Sequence, residues 1–164
     1  MLYLVLYIDN LEMQTFNHIL IPTDFSLVAW KAVELGVSLA SDKAVRLTLF
    51  HVYPSAAKFI GISDRENDQE KAAQEVVKSQ MLNFFGDLAK ENNVTLEFEV
   101  TKGTVSREIS RHIKKHDYDL VIMGVNSHGQ DNQPGSNTGR VISQCQVPVL
   151  IVPNEISVIT PVNS

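Results

Sequence analysis

Residues 119–153 decide the fold and read DLVIMG-VNSHGQDNQPGS-NTGRVISQCQ-VPVLIVP. An apolar run ends at Gly124, and a polar loop follows it. A short helical segment begins at Gly135-Ser136, and a second apolar run ends at Pro153. This is the order strand, loop, helix, strand. A loop between the carboxyl end of a strand and the amino end of a helix offers unpaired N–H groups and a positive dipole end. It therefore predicts a site for an anion, above all a phosphate.

Neither of the two best-known phosphate-binding loops is present in this stretch. Gly124 and Gly129 have the spacing of a P-loop, but Gln130-Asp131 stands where Lys followed by Ser or Thr is required. The dinucleotide pattern G-x-G-x-x-G is also missing. A ligand bound here would depend on backbone N–H groups, on Ser136 and on Asn137.

The rest of the sequence alternates in the same way. Apolar or β-branched runs at 17–23, 45–53 and 94–100 are each followed by a helical pattern. Strands that alternate with helices predict a doubly wound, Rossmann-like α/β domain, with a parallel sheet and helices on both faces. The long helix that ends near residue 92 is expected to bury an apolar stripe, formed by Ala72, Val76, Met81, Phe84, Phe85 and Leu88.

The polarity of each strand predicts its place in the sheet. HILI, LVIM and VLIV are apolar at every position, as in strands covered on both faces, whereas VTLEFEV (94–100) is half polar and belongs at an edge. These patterns fit a five-stranded sheet in the order 3-2-1-4-5. The fifth strand, Pro148 to Pro153, is then an apolar edge, which is a liability unless it is covered. Pairing with the same strand of a second copy predicts a two-fold homodimer, unless the tail after Pro153 folds back over this edge.

Length, charge and cysteine content limit the class of protein. The 164 residues predict one domain, and the net charge of −5 argues against nucleic acid as the main partner. Cys145 is the single cysteine, which excludes an internal disulfide and fits a reducing compartment. The opening MLYLVLYI is too short to span a bilayer and has no basic n-region, so it predicts neither a membrane anchor nor a signal peptide. It is either an extra strand or an upstream extension. The second interpretation arises because Met13 begins a segment that leads directly into the first strand.

Five separated motifs resemble the universal stress protein family. They are HILIPTDFS (18–26), HVYP (51–54), KGTVSREI (102–109), KKHDYDLVIMG (114–124) and GSNTGRVISQCQVPVLIVP (135–153). Their order and spacing make residues 17–153 the family-like domain, with an N-terminal extension at 1–16 and a tail at 154–164. The resemblance implies a doubly wound α/β domain, a cytoplasmic homodimer and, in one branch of the family, a site for ATP or AMP.

The resemblance also implies which residues contact a nucleotide. The family's aspartate after the first strand, which contacts the nucleoside, falls on Asp24, with Pro22 and Thr23 beside it. The base-contacting position at the end of the second strand falls on Val52. Met123 and Gly124 match the end of the fourth strand, and the last glycine, the hydroxyl and the helix start of the phosphate loop fall on Gly135, Ser136 and Asn137.

The middle of that loop departs from the nucleotide-binding pattern, G-x2-G-x9-G-[ST]. The second glycine would fall on Ser127, and the nearest glycine is Gly129. Ten residues separate Gly124 from Gly135, where the pattern has twelve. His128 either reaches a phosphate or is simply an exposed loop histidine. The family also has a branch without ATP binding, in which this loop is degraded, and the present sequence lies between the two branches.

The remaining candidates have simpler interpretations. Asp24 can contact a ligand and can equally cap the helix that starts near Ser26. His112 and His116 have the i, i+4 spacing of metal ligands, but no third ligand accompanies them, and their basic neighbours indicate a solvated face with no metal site. His51 is expected to be a hydrogen-bonded core residue. No catalytic Ser-His-Asp or Cys-His set can be assembled.

Three functions from different classes remain. The first and favoured one is a dimeric stress-response regulator that binds ATP or AMP, with or without Mg²⁺, and acts on a protein partner that the sequence does not name. The second is a member of the same family that binds no nucleotide and acts as a protein-interaction module. The third is an enzyme, a slow ATP hydrolase or an adenine-nucleotide transferase. It has the least support, because no residues are placed to position a water and stabilise the transition state.

Overall fold

The computed structural model describes residues 16–40, 44–53, 65–125 and 136–154. Strands and helices alternate throughout these residues, as the sequence pattern predicts. The elements are β1 (His18–Pro22), α1 (Leu27–Ala40), β2 (Arg46–Tyr53), α2 (Arg65–Glu91), β3 (Leu96–Lys102), α3 (Val105–Lys115), β4 (Leu120–Val125), α4 (Ser136–Gln144) and β5 (Val149–Pro153). Apart from Phe16 and Asn154, the predicted N-terminal extension and C-terminal tail lie outside the described residues.

The five strands form one parallel sheet in the order β3-β2-β1-β4-β5, which confirms the predicted topology. β1 is the central strand and pairs with β2 along its whole length, from His18 opposite Arg46 to Pro22 opposite Phe50. On its other side, Ile19 lies opposite Leu120 of β4. The carboxyl ends of β1 and β4 therefore meet at one edge of the sheet, at the point where the strand order reverses. Open α/β sheets bind their ligands at this point.

The helices cover the sheet in two layers with separate cores. α1 and α2 pack on one face, where the core residues include Val33, Val37, Met81 and Phe85. α3 and α4 pack on the other face through Ile109, Ile113 and Val141. Because successive side chains of a strand point to opposite faces, each buried strand contributes to both cores.

The half-polar strand lies at the edge of the sheet, as predicted. Phe98 and Val100 of β3 pack against the α1/α2 core. Glu97 and Glu99 alternate with them and so project to the other face, on the side of α3. Polarity is tolerated there because β3 pairs only with β2 among the described strands.

The apolar stripe predicted for the long helix is only partly buried. Met81 and Phe85 are fully buried, but Val76 and Phe84 are 58% and 42% exposed. Ala72 is exposed as well, and no described residue of α2 before Met81 is buried. The helix has 27 residues and packs through its second half, so the apolar pattern extends beyond the part that contacts the core. None of the described helices is long and apolar enough to cross a membrane.

Candidate functional site

A pocket of about 340 Å³ lies at the carboxyl ends of the central strands. This volume is in the range of small-molecule sites. The structure brings together in its lining seven residues that the sequence analysis assigned to a nucleotide site: Pro22, Thr23, Asp24, Val52, Met123, Gly124 and Asn137. His128, Gly129 and Gly135 lie outside the described residues. Ser136 begins α4, and its side chain is not described.

The turn between β1 and α1 positions Asp24 at the rim of this pocket. The Asp24 carboxylate accepts a hydrogen bond from the Ser26 backbone N–H, at 3.0 Å. Ser26 in turn caps α1, because its hydroxyl accepts the Ala29 N–H at 3.2 Å. Asp24 thus organises the turn and lines the pocket, but Ser26 and not Asp24 caps α1, so the capping role predicted for Asp24 is wrong.

Phe25, the next residue in the turn, has an unusual backbone conformation. Its φ of 63° is in the left-handed region, where residues other than glycine, asparagine and aspartate are uncommon. Its ring packs against those of His51 and Phe85, with centroids 4.9 and 6.4 Å away, and this packing anchors the turn. His51 Nδ1 lies 2.7 Å from the Thr23 carbonyl oxygen and must donate to it. This hydrogen bond confirms that His51 is hydrogen-bonded as predicted, but the residue is half-buried and does not belong to the core.

Gly124 has a packing role that the sequence analysis did not anticipate. A β-carbon at this position would lie 2.5 Å from the Val28 carbonyl oxygen and 2.9 Å from the Ala29 nitrogen. Neither backbone atom can move away without shifting α1. Glycine is therefore required at position 124 for the close approach of β4 to α1, whether or not a ligand binds nearby.

One wall of the pocket is apolar and was largely missed by the sequence analysis. The missed lining residues are Ala29, Phe50, Val105, Ile109, Val125 and Thr138. A signal for part of this wall exists in the sequence. Phe50 and Val52 are two residues apart and therefore lie on the same face of β2, and Val105 and Ile109 are one turn apart on α3. Only the packing of α3 on that face of the sheet brings the two pairs together.

The electrostatics of the pocket are simple. Asp24 is the only charged residue among its described lining residues. Asn137 and Thr138, at the amino end of α4, line the pocket, and the first backbone N–H groups of a helix have no partner within the helix itself. The pocket thus combines apolar walls, one carboxylate and one helix amino end. This combination suits a planar apolar group that carries hydroxyls and an anionic tail.

A second group of ionisable residues lies on the same side of the sheet, between α3 and β3. His112 is only 8% exposed, so the predicted solvated face is wrong for this residue. Its ring stacks on Phe50 at 4.1 Å, and its Nε2 lies 2.8 Å from the Tyr118 hydroxyl. Sequence reasoning also missed a third potential ligand, because Glu99 of β3 lies beside His112 and His116. The fold brings this carboxylate from a different element.

Burial controls the protonation of this group. Desolvation, assisted by the nearby charges of His116, His18 and Lys115, lowers the pKa of His112 to about 4. Burial also raises the pKa of Tyr118 to about 12. At neutral pH the His112 imidazole is therefore neutral and the Tyr118 hydroxyl is protonated. The 3.5 Å contact between His112 Nε2 and Glu99 is consequently not an ion pair at that pH.

The family profile of the universal stress proteins matches residues 15–153. The chain therefore belongs to the universal stress protein family. No curated protein sequence matches the chain.

Solved structures share the fold. The hypothetical protein MJ0577 is 28% identical, with a TM-score of 0.69, and the alignment covers 88% of this chain and all of that one. The universal stress protein UspA from Lactobacillus plantarum is 20% identical, with a TM-score of 0.68 and coverages of 85% and 99%. A family protein from Arabidopsis thaliana, At3g01520, whose structure has AMP bound, is 17% identical, with a TM-score of 0.58 and coverages of 85% and 92%.

Proposed function

We propose that this universal stress protein binds an adenine nucleotide, ATP or AMP, in the pocket at the carboxyl ends of β1 and β4. The observation that carries the proposal is the convergence of seven predicted contact residues, from four separate parts of the chain, on one pocket. The AMP bound to the Arabidopsis family member supports the choice of ligand.

The lining suggests an orientation for the nucleotide. The base would lie against the apolar wall near Val52, and the Asp24 carboxylate would accept hydrogen bonds from the ribose hydroxyls. The phosphates would lie at the amino end of α4, where backbone N–H groups replace the missing lysine of a P-loop. Binding would change the surface that the protein presents to its partner, which is the regulatory output.

Calorimetric titration of the whole chain with ATP and with AMP, with and without Mg²⁺, tests this proposal. We expect micromolar binding, lost in the variant that combines Gly135→Val with Ser136→Ala. Asp24→Asn should weaken binding and leave the fold intact, because the amide oxygen still accepts the Ser26 N–H. Gly139→Ala is the matched control, since a β-carbon there meets no atom of the described residues within 4 Å. Absence of binding at millimolar nucleotide would refute the proposal.

A specific observation favours a second candidate, a family member that binds no nucleotide and acts through protein contacts. Gly124 is the first glycine of the family's phosphate loop, and its packing against Val28 is enough to explain why glycine stands there. The loop that follows is also two residues shorter than the nucleotide-binding pattern. In this case the titrations would give no heat, and the partner contacts would be independent of nucleotide.

We also propose that the protein is a cytoplasmic homodimer that pairs through β5. Val149, Leu150 and Ile151 remain half-exposed in the single chain, and β5 pairs only with β4 among the described strands. An apolar edge of this kind is a ready site for strand pairing. The single cysteine fits the reducing cytoplasm. Light scattering at micromolar concentration tests the dimer, and a monomer there would contradict it.

A further inference from the structure

Glu99, His112 and His116 form a cluster of potential metal ligands outside the nucleotide pocket. His112 lies in the last turn of α3, His116 is the C-cap residue that follows this helix, and Glu99 of β3 lies beside both histidines. One ligand atom from each residue can be chosen so that all three lie within 4.8 Å of one another. We propose that these three side chains bind a divalent transition-metal ion of the Zn²⁺ type.

The distances between the potential ligand atoms are close to those found around a bound ion. Zn²⁺ binds imidazole nitrogen and carboxylate oxygen at roughly 2.0–2.2 Å, so two ligands of a tetrahedral ion lie roughly 3.3–3.6 Å apart. His112 Nε2 and Glu99 Oε2 are already 3.5 Å apart. The ring centroids of His112 and His116 are 4.3 Å apart. His116 is exposed, so rotation of its side chain can close the remaining gap.

The donor set indicates the class of ion. Two imidazoles and one carboxylate suit Zn²⁺ and its neighbours in the first transition row, whereas Mg²⁺ and Ca²⁺ prefer oxygen ligands alone. Three protein ligands leave a fourth position for water.

The surroundings of His112 prepare it as a ligand. Stacking on Phe50, with the ring centroids 4.1 Å apart, fixes the plane of the His112 ring. The Tyr118 hydroxyl contacts the same nitrogen that faces Glu99, so an ion on Nε2 would replace this hydrogen bond.

The nearby positive charges do not remove the carboxylate from the cluster. Arg111 pairs with Glu108, at 3.6 Å, rather than with Glu99. Lys115 directly precedes His116 in the chain, and its charge opposes an incoming cation. The lysine is exposed to water, which screens this repulsion.

The alternative is that the three residues only form a polar contact that holds α3 on the sheet. Titration of the chelator-treated, dialysed whole chain with Zn²⁺ alone separates the two roles. Co²⁺, which reports imidazole coordination by visible absorption, serves as the second probe. Nucleotide is omitted because its phosphates bind metal ions, so the result does not depend on the proposed nucleotide function.

We expect binding of one Zn²⁺ per chain, at micromolar or lower concentration. Glu99→Gln and His116→Ala should each weaken it by more than about tenfold, since even a partner that only orients a metal ligand contributes about 10–100-fold. Neither side chain is buried, so both variants should fold, and circular dichroism checks this. Glu97→Gln is the matched control on the same face of β3, and it should bind as the wild type does.

Three results would overturn the assignment. The first is no binding at millimolar Zn²⁺. The second is wild-type binding in both Glu99→Gln and His116→Ala, which would place the ion elsewhere. The third is equal weakening in Glu97→Gln, which would mean that the cation responds to the negative charge of β3 and not to a defined set of ligands.

Discussion

The two faces of the sheet differ in what they bury. The face under α1 and α2 is an apolar core around Ile19, Ile21, Leu47, Leu49 and Ile122, all fully buried. The face under α3 and α4 also has an apolar centre, but it buries His18, Thr48 and His112 as well. Most of the pocket wall and all of the proposed metal ligands lie on this second face. The difference suggests that one face provides stability and the other provides chemistry at some cost in stability.

The largest effect should come from emptying the apolar face. Phe85→Ala should lower the free energy of unfolding by about 3–5 kcal/mol, because a large, fully buried ring that stacks on Trp30 is replaced by a cavity. Urea denaturation of the variant and the wild type measures this loss of unfolding free energy. Leu82→Ala, on the same helix but 54% exposed, is the control and should change the free energy by less than about 0.5 kcal/mol. Equal effects would mean that α2 packs through a different stripe.

A smaller loss should follow from adding an atom on this face where β4 packs against the backbone of α1. Gly124→Ala should destabilise the protein by about 1–3 kcal/mol, because its β-carbon meets the backbone of Val28. Gly139→Ala in α4 should instead be neutral or stabilising by up to about 1 kcal/mol, since alanine favours the helix. The thermal unfolding midpoints of both variants, compared with that of the wild type, test this prediction. An unchanged midpoint for Gly124→Ala would show that α1 can move away from β4.

The same tyrosine substitution should act differently on the two faces. Tyr118→Phe should cost about 0.5–1.5 kcal/mol, because it removes the hydroxyl that contacts the buried His112 Nε2. Tyr53→Phe should be neutral or slightly stabilising, because the buried Tyr53 hydroxyl has no hydrogen-bond partner among the described residues. Urea denaturation of both variants tests the contrast, and a reversed order would contradict it.

The smallest effect should be the contribution of His18, on the polar face, to the dependence of stability on pH. Thr48 donates its hydroxyl proton to Glu97, so His18 Nε2 must donate to Thr48. A second proton would go to His18 Nδ1, which is buried with no partner among the described residues. Burial is accordingly the main cause that lowers the pKa of His18, and Arg46 adds to it, while Glu97 and Asp119 oppose it.

The sign of this effect follows from the direction of the shift. As the pH falls below the ordinary histidine value of 6.5, the unfolded chain binds a proton at His18 before the folded chain does. The contribution of His18 to the free energy of unfolding is therefore complete above pH 6.5 and decreases as the pH falls below it. Unfolding free energies measured from about pH 8 to pH 5 should fall more steeply for the wild type than for His18→Gln. Parallel curves would contradict the assignment.

The sequence predicted the topology through the alternation of strands and helices together with strand polarity. The half-polar VTLEFEV indicated an edge strand, whereas VLIV is apolar throughout although β5 is the other edge, so polarity alone does not give the order. Asp24 could be placed at the ligand-binding edge because it follows the carboxyl end of a strand, whereas Val52 was assigned by the family resemblance. For this reason the predicted pocket residues converge in the structure, even though their contact with a nucleotide remains a prediction.

Burial on the helices could not be predicted in the same way. The apolar pattern of α2 does not show where the helix leaves the core, so Val76 and Phe84 were wrongly expected inside. His112 has basic neighbours in the sequence, and its burial depends on stacking over Phe50, which no local pattern encodes. Glu99 becomes its neighbour because it lies opposite Phe50 in the register of β2 with β3. Only the pairing of distant segments produces this arrangement.

The central position of β1 has a consequence for biosynthesis. The hydrogen bond from the Asn17 backbone to Asp119, at the start of the contact between β1 and β4, joins residues 102 positions apart. Ribosomes add about 5–20 residues per second, so one side of β1 stays unpaired for several seconds after it leaves the exit tunnel. A β1-α1-β2 unit can form in that interval, but it presents an apolar strand edge that other nascent chains can pair with. Slower translation between α1 and β4 should therefore favour aggregation.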